Sequence, residues 1–467
     1  MFSAAMSPPE PSLQRLVREM HTTAALAAPL VLGQVSAVAM SLIDTILAGH
    51  HGALTLAGVA VGGAIWTIVL MVLVGVLMAV PPSVAQCNGG GRRERIGSLF
   101  RQALWLALAL GIGLLVVALD GQWLLAAMQV APEVRPVAMD FIGAIAWGAP
   151  AFALYLVCRS LSEGLAWTWP TMAFGVLGIV LLLPLGYALM FGAFGLPALG
   201  AAGLGYASAL TMWVQLLGIA IYLARAPRFA DLRLFAQFEP PRWAPIRELL
   251  RIGLPMGFSV LMEGGLFVAT LLLIGHMGAV PVAAHQIAIN IASLCFMVPL
   301  GVGMATTVRV GHAAGAGSHS QLRWAALAGY AIVLITQTAS ALLMVCARHP
   351  IVALYTDDPA IAALAATLLL YAAAFQYPDG IQAHSAGALR GLKDTRAPMW
   401  ITACAYWFLG MPLGWWLGVH RGGGAPGMWI GLIAGLVAAA ALLAVRFVHL
   451  VRHDHRLMAA VARSASM

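Results

Sequence analysis

Three acidic residues lie inside stretches of sequence that are otherwise apolar enough to span a lipid bilayer: Asp44, Glu263 and Asp379. A carboxylate at the centre of a transmembrane helix costs about 2.5–3.5 kcal/mol on insertion scales. Membrane proteins keep such groups where they face a cavity and bind a proton or a cation. Three acids spread over both halves of the chain therefore indicate transport across a membrane.

The sequence around each acid suggests how it would work. Glu263 lies near the middle of its apolar stretch, and the basic residue on the same stretch, Arg251, is three turns away. An unpaired carboxyl in such surroundings takes up and releases protons near neutral pH. Asp379 follows Pro378, where the helix is expected to kink or open and free backbone carbonyls beside the carboxylate. We predict that Glu263, Asp379 and Asp44 bind a proton or cation, and that a sodium ion would bind at Glu263 and Asp379.

The composition excludes a soluble protein. Of the 467 residues, 61% are hydrophobic and 9% are charged, with a mean hydropathy of +0.91. A typical soluble domain has about 25% charged residues. The net charge of +8 is better explained by membrane topology than by nucleic-acid binding, because the basic residues cluster in alternate loops. The five cysteines have no CxxC spacing, so neither a disulfide framework nor a zinc site is predicted.

Twelve apolar stretches are long enough to span a bilayer, for which about 20 residues suffice. Backbone polar groups in lipid must be satisfied internally, so each stretch is predicted to be a helix. They cover residues 24–48, 54–80, 98–119, 136–158, 170–190, 199–224, 248–275, 282–308, 322–346, 360–387, 398–419 and 426–449. The predicted fold class is an all-α polytopic membrane protein with twelve transmembrane helices.

The basic residues orient these helices. Segments assigned to one side of the membrane carry 22 Lys and Arg residues, among them Arg159 and Arg390, and the opposite loops carry 3. The positive-inside rule then places both termini in the cytoplasm.

The two halves of the chain repeat one another. A shift of 226 residues superposes Pro29 on Pro255, and a shift of 228 superposes Pro184 on Pro412. Six helices per half restore the same orientation, so the halves are parallel repeats related by an axis along the membrane normal. The predicted parts are a cytoplasmic N-terminal segment 1–23, a six-helix bundle 24–224, a cytoplasmic linker 225–247, a second six-helix bundle 248–449 and a cytoplasmic tail 450–467.

Other polar and aromatic residues in the spans are candidates for lining a substrate cavity, although interhelical hydrogen bonds would explain the polar ones equally well. The candidates are Phe267, Phe375, Gln286, Asn290, Gln34 and Gln382. No P-loop is present, so no nucleotide cofactor is expected and an ion gradient of H⁺ or Na⁺ should supply the energy.

Taken together, these motifs resemble the multidrug and toxic compound extrusion (MATE) family, in its NorM-like bacterial branch. The resemblance covers all twelve predicted spans and is carried by Asp44 in LIDTILAG, Glu263 in EGGLF, AHQIAIN at 284–290, RVGH at 309–312 and Asp379 through GALRGLKDT at 387–395. It implies proton- or sodium-driven export of small organic, mostly cationic, compounds. It also implies two six-helix bundles in a V around a central cavity.

The chain departs from the family pattern at two places. Family members often have asparagines on both sides of the proline in the fifth span, whereas here Leu182 and Gly186 flank Pro184 in the predicted span 170–190. Family members also often have a tyrosine one turn before the acid that matches Asp379, whereas here the residue is Phe375. Both changes remove ligands that a sodium ion would need, which favours either coupling to protons or an ion site confined to Glu263 and Asp379.

The predicted function is therefore that of a cation-coupled antiporter working by alternating access, not of an enzyme, and a monomer suffices for it. One alternative is a flippase for lipid-linked or polysaccharide substrates, which would need a strongly basic cavity. Another is an intramembrane prenyltransferase, but Asp357-Asp358 lacks a partner motif and suits a helix N-terminal cap instead.

Overall fold

The computed structural model describes residues 12–127 and 130–453, and regular secondary structure in those ranges is entirely helical. In the N-terminal half the α-helices are α1 (Ser12–His51), α2 (Ala53–Leu77), α3 (Val80–Gly89), α4 (Arg93–Leu119), α5 (Gln122–Ala127), α6 (Val134–Ala146), α7 (Ala149–Gly164), α8 (Trp169–Phe191) and α9 (Gly200–Arg225). In the C-terminal half they are α10 (Trp243–Gly275), α11 (Ala279–Gly315), α12 (His319–Cys346), α13 (Arg348–Ala353), α14 (Pro359–Gly391), α15 (Arg396–Ala403), α16 (Met411–Trp415) and α17 (Gly424–His453).

The twelve predicted spans all fall on helical runs. In the described part of the chain, ten runs are long and apolar enough to cross a membrane, and α6 with α7 forms an eleventh if this pair, bent by 47°, is one span. The helix that carries the first predicted span, 24–48, begins at Ser12 and so extends into the predicted N-terminal segment 1–23. Residues 1–11, and 454–467 of the predicted tail, lie outside the described residues.

The remaining predicted span, 398–419, is helical from Arg396 to His420 but changes its winding along the way. Two stretches of π-helix, Cys404–Gly410 and Trp416–His420, flank the short helix α16. Pro412 has no N–H to donate to the carbonyl of the preceding turn, and wider π turns accommodate such a ring. With this run the architecture has twelve transmembrane segments.

The two halves meet at the arginine-rich end of the molecule, which is the end where α3 finishes and α10 starts. A methyl group on Gly89 of α3 would fall 2.1 Å from the His312 carbonyl oxygen of α11. The repeat-related residues are Gly315 and Gln86, and a methyl group on Gly315 would also fall 2.1 Å from the Gln86 carbonyl oxygen. Adding 226 to the residue number from the first half, and subtracting 226 from the one in the second half, converts the first contact into the second, as expected for parallel repeats.

A second pair of contacts obeys the same rule. A methyl group on Gly75 would fall 2.2 Å from Gly257 Cα, and one on Gly301 would fall 2.4 Å from Val31 Cγ2. The two contacts are related by the repeat, because Gly75 shifted by 226 positions is Gly301 and Val31 shifted by 226 positions is Gly257. The interface between the halves is therefore a symmetric backbone contact for which only glycine leaves room.

Polar contacts reinforce this closed end. Arg309 of α11 forms an ion pair with Glu19 of α1. Gln86 donates from Nε2 to the Gly391 carbonyl (2.8 Å), and His312 Nε2 lies 2.8 Å from the Gly164 carbonyl. Each contact joins one half to the other, so the arginine-rich end is closed by hydrogen bonds as well as by packing.

The predicted linker, residues 225–247, is bound to α4 instead of being a loose connection. Arg93 Nε lies 2.6 Å from Asp231 Oδ2, and Arg101 Nη2 lies 2.5 Å from Glu239 Oε1. The hydrogen bonds from Arg93, and from Arg101 with Ser98, hold the pKa of Asp231 and of Glu239 below their usual range. The linker therefore packs with the N-terminal half.

Candidate ion and substrate site

Glu263 and Asp379 converge from different helices. They come from α10 and α14, and both line a small cavity of about 50 Å³. Asp379 is buried, with 3% of its surface exposed. Neither carboxylate makes an ion pair or hydrogen bond with any residue in the described ranges. Both groups are therefore free to take a proton or an external ligand.

Of the two predicted outcomes at Pro378, a kink or an opening, the opening was wrong, because α14 remains helical through that residue. Proline still leaves the carbonyl four residues earlier, that of Ala374, without its intrahelical donor. The acid therefore lies beside a locally weakened turn of an otherwise continuous helix.

Aromatic rings form the walls around the two acids. Phe267 and Phe375 both line the small cavity and meet edge to face, with centroids 6.2 Å apart. Phe375 also packs edge to face against Trp429 at 5.6 Å. Such rings exclude water and present π faces to a cation. Two predicted cavity residues, Phe267 and Phe375, are thus placed at the acids.

Tyr406, which belongs to the first π stretch, was not predicted from the sequence. Its hydroxyl is buried without a hydrogen-bond partner, and its side chain lies within electrostatic range of both Glu263 and Asp379. A buried hydroxyl without a partner is uncommon and points to a functional role. In the sequence, Tyr406 stands four residues before Gly410-Met411-Pro412, and this pattern is too weak to single the tyrosine out.

A second, larger cavity of about 450 Å³ lies between the two halves. Glu263 and Phe267 line it as well as the small cavity, so the two spaces adjoin. Of the predicted cavity residues, Gln34 and Gln382 line the large cavity. Gln286 and Asn290 line neither cavity, and Asn290 is exposed.

Asp44 is separate from this site and lines neither cavity. Its Oδ1 is buried beside the hydroxyl of Ser208 in α9, and the two groups interact without meeting the geometry of a hydrogen bond. The two residues that flank Pro184 provide no hydrogen-bonding side chain for Asp44. Leu182 is fully buried and apolar, and a methyl group on Gly186 would touch Leu47. α8, the helix that carries Pro184, therefore supplies no polar side chain to Asp44 at these two positions.

The large cavity contains an ion pair that was not predicted from the sequence either. Arg159 Nε lies 2.6 Å from Glu163 Oε1, which also accepts from Thr171 Oγ1 at 2.8 Å. Arg159 Nη2 donates to Gln34 Oε1 at 3.1 Å. The fourth predicted span ended at residue 158, so Arg159 and Glu163 were assigned to a loop. In the structure α7 continues to Gly164 and includes both residues. The i, i+4 spacing of Arg159 and Glu163 was the available signal.

Two arginines assigned to cytoplasmic loops, Arg159 and Arg390, line this cavity. Each lies just past the end of its predicted span, 136–158 or 360–387, on a helix that continues beyond that end. The cavity is not strongly basic, however, because Glu163 and Glu263 line it too. Among the residues described, no group of three or more His, Cys, Asp or Glu side chains could hold a metal ion.

Comparison with known proteins gives a consistent result. The MatE family model matches residues 29–188 and 255–416, so the two matches are offset by 226 at their starts and 228 at their ends. These offsets equal the shifts that superpose the sequence repeat. The family model thus recognises both halves separately.

Relatives match over nearly the whole chain. The probable multidrug resistance protein NorM of Xanthomonas campestris pv. campestris is 53% identical over 433 residues, covering 93% of this chain and 94% of the relative. The multidrug resistance protein PmpM of Pseudomonas aeruginosa is 39% identical over 462 residues, covering 97% of each.

Solved structures agree on the fold. The eukaryotic MATE transporter AtDTX14 has a TM-score of 0.86 at 19% identity, covering 97% of this chain and all of that one. A multidrug resistance MATE family transporter of the MOP superfamily, solved in an outward-facing conformation, has a TM-score of 0.85 at 20% identity, with 98% and 100% covered. From the two matched halves and the relatives it follows that the chain belongs to the MatE family.

Proposed function

We propose that this chain is a proton-driven antiporter that exports organic, mostly cationic, compounds, and that Glu263 and Asp379 bind the coupling proton. The observation that carries this proposal is the pairing of two unpartnered acids in one small cavity, with Glu263 shared by the large cavity. The names of the relatives, multidrug resistance proteins, support export as the activity.

The mechanism follows from the shared carboxylate. An ionised Glu263 attracts a cationic substrate in the large cavity, and protonation removes that charge and releases the substrate. Because only a difference in affinity between two conformations can drive the cycle, proton and substrate must prefer different states. Binding at one adjoining pair of cavities supplies this competition.

Proton coupling agrees with the composition of the small cavity. Glu263, Asp379 and Ser293 are its lining residues with side-chain oxygens, and the others are Phe, Ile and Ala. A metal cation replaces its hydration shell with several oxygen ligands, whereas a proton needs one carboxylate. Sodium therefore remains the alternative that the experiment below must exclude.

The membrane setting follows from the spans. The chain is an integral membrane protein, and we propose that the arginine-rich end, with both termini, faces the cytoplasm of a bacterial cell. The closed contact between the halves at this end would then seal the cavity from the cytoplasm. A monomer suffices, because one chain supplies both cavities.

The test is efflux of a cationic dye from cells or vesicles by Glu263→Gln, Asp379→Asn and Asp44→Asn variants. Asp120→Asn is the matched control, because it removes an exposed acid at the end of α4. We expect the Glu263 and Asp379 variants to lose proton-driven efflux and the control to retain it. Wild-type rates in all three test variants would overturn the carboxylate mechanism, and loss of efflux when sodium is removed at fixed pH would overturn proton coupling.

A further inference from the structure

The large cavity contains one positive charge that the structure leaves without a partner. Four charged side chains line this cavity: Arg159, Glu163, Glu263 and Arg390. Arg159 and Glu163 neutralise each other at 2.6 Å. Neither Glu263 nor Arg390 has an oppositely charged group within 4.0 Å among the described residues. A charge that is kept unpaired in a substrate cavity indicates a ligand of opposite sign.

Arg390 is placed to use its charge on a ligand. It lies in the last turn of α14, where its Nε donates to the Ala386 carbonyl of the same helix at 3.2 Å. Its two terminal amino groups make no hydrogen bond with a described residue. The planar guanidinium group binds carboxylates and phosphates through two parallel hydrogen bonds, which a lysine cannot reproduce.

The walls of the cavity limit what else the ligand can be. Phe267, Phe296 and methionines of both halves, among them Met71 and Met304, form much of the lining. The volume of about 450 Å³ lies within the range of drug-sized sites, about 300–1,000 Å³. An aromatic compound that carries a carboxylate and a positive charge would satisfy the rings, Arg390 and Glu263 together.

On the basis of the proposed function, we propose that Arg390 is a specificity-determining residue, which binds the anionic group of those substrates that carry one. Glu263 then affects the two substrate classes in opposite ways. When Glu263 is ionised, it attracts the cationic group and offsets Arg390 at long range; when it is protonated, the cavity carries one net positive charge and favours the anionic group.

Two dyes that share one ring system separate these classes. Rhodamine 123 is a methyl ester and a cation, and rhodamine 110 is the matching free acid, which is a zwitterion when its carboxylate is ionised. Their binding to the full chain in lipid nanodiscs is measured by fluorescence anisotropy at neutral pH. The variants are Arg390→Gln and Arg390→Lys, and the matched control is Arg396→Gln, which removes an exposed arginine outside the cavity.

We expect Arg390→Gln to weaken rhodamine 110 binding by about ten-fold or more, the value of a charge-assisted hydrogen bond, and to leave rhodamine 123 binding within about two-fold. Arg390→Lys should lose less, because it keeps the charge. Glu263→Gln should strengthen rhodamine 110 binding relative to rhodamine 123, which is a readout that does not require Arg390 to be changed.

The outcomes distinguish the proposals. Equal losses for both dyes in Arg390→Gln, or no loss for rhodamine 110, would overturn the anion assignment while leaving cation export intact. If neither dye binds the wild-type protein, the large cavity is not a site for such compounds and the assignment to Arg390 is overturned, whereas the proposed function is decided by the efflux experiment. If Arg390→Gln does not fold, the Arg390→Lys and Glu263→Gln results decide.

Discussion

We expect Gly89→Ala and Gly315→Ala each to open the arginine-rich end of the molecule. An added methyl group would lie 2.1 Å from a backbone carbonyl oxygen in either variant, whereas real Cβ contacts essentially never fall below 3.0 Å. The two backbones must therefore separate by at least about 1 Å, and overpacking of this kind costs about 1–3 kcal/mol. A conformation in which the halves have parted here does not incur that cost, so its population should rise about 5- to 150-fold relative to the closed state.

The native Cys87 reports on this change, because it is half-buried in α3 between Gln86 and Gly89. The assay is the rate at which a membrane-impermeant thiol reagent modifies Cys87 in nanodiscs, quantified by peptide mass spectrometry. Both variants should be modified faster than the wild type. They should also show similar increases, because the two clashes are repeat-related and equally close.

Gly113→Ala in α4 is the control, since nothing lies within 4 Å of its added methyl group. It should leave the rate at Cys87 unchanged. Equal rates in wild type, Gly89→Ala and Gly315→Ala, with thermal unfolding showing that all are folded, would refute the idea that this backbone contact holds the end closed.

Two further predictions concern the linker and the ion site. Glu239→Gln should lower the free energy of unfolding by about 1 kcal/mol at pH 7. Arg101 and Ser98 hold the pKa of Glu239 in the folded protein below its usual range. The stabilisation is therefore fully present above the unfolded-state pKa of about 4.3, and it is lost as the pH falls through the lowered folded-state pKa. The measurement is Tm against pH, and a difference from wild type that persists at the lowest pH would contradict it. Tyr406→Phe should leave Tm unchanged, since the hydroxyl has no hydrogen-bond partner in this structure. It should move the pH midpoint of dye efflux upward, because we expect the hydroxyl to donate to Glu263 or Asp379 once that acid is ionised; an unshifted midpoint would contradict this role.

Hydropathy was sufficient to locate the membrane segments, because the length of an apolar stretch is set by the thickness of the bilayer. Every predicted span overlaps a helical run, including 398–419, whose π turns do not change its hydropathy. The ends were less predictable. A charged residue that ends an apolar stretch need not end a helix, and Arg159 and Arg390 continue α7 and α14 into the cavity.

The sequence predicted those site residues whose side chain alone makes insertion of the helix into lipid unfavourable. Asp44, Glu263 and Asp379 were found because an isolated acid in an apolar stretch is too costly to be kept without a function. Glu163 and Tyr406 were missed for the opposite reason. Glu163 has a basic neighbour one turn away, and tyrosine is common in membrane helices. Only the fold shows that Glu163 lines the large cavity and that Tyr406 lies near both acids.

The repeat explains why the interface is symmetric and the chemistry is not. Gly89 and Gly315 occupy equivalent positions because a close backbone contact about the axis must be made twice. The acids have no such constraint: the repeat-mate of Glu263 is Ala37, and that of Asp44 is Thr270. The symmetric contact closes the arginine-rich end with the same geometry on both halves. The acid pair Glu263 and Asp379 belongs to the C-terminal half alone, so its affinity for a proton can differ between the state in which the halves are together at this end and the state in which they have parted. That difference is what a coupled cycle requires, because a ligand bound equally in both states would shift neither.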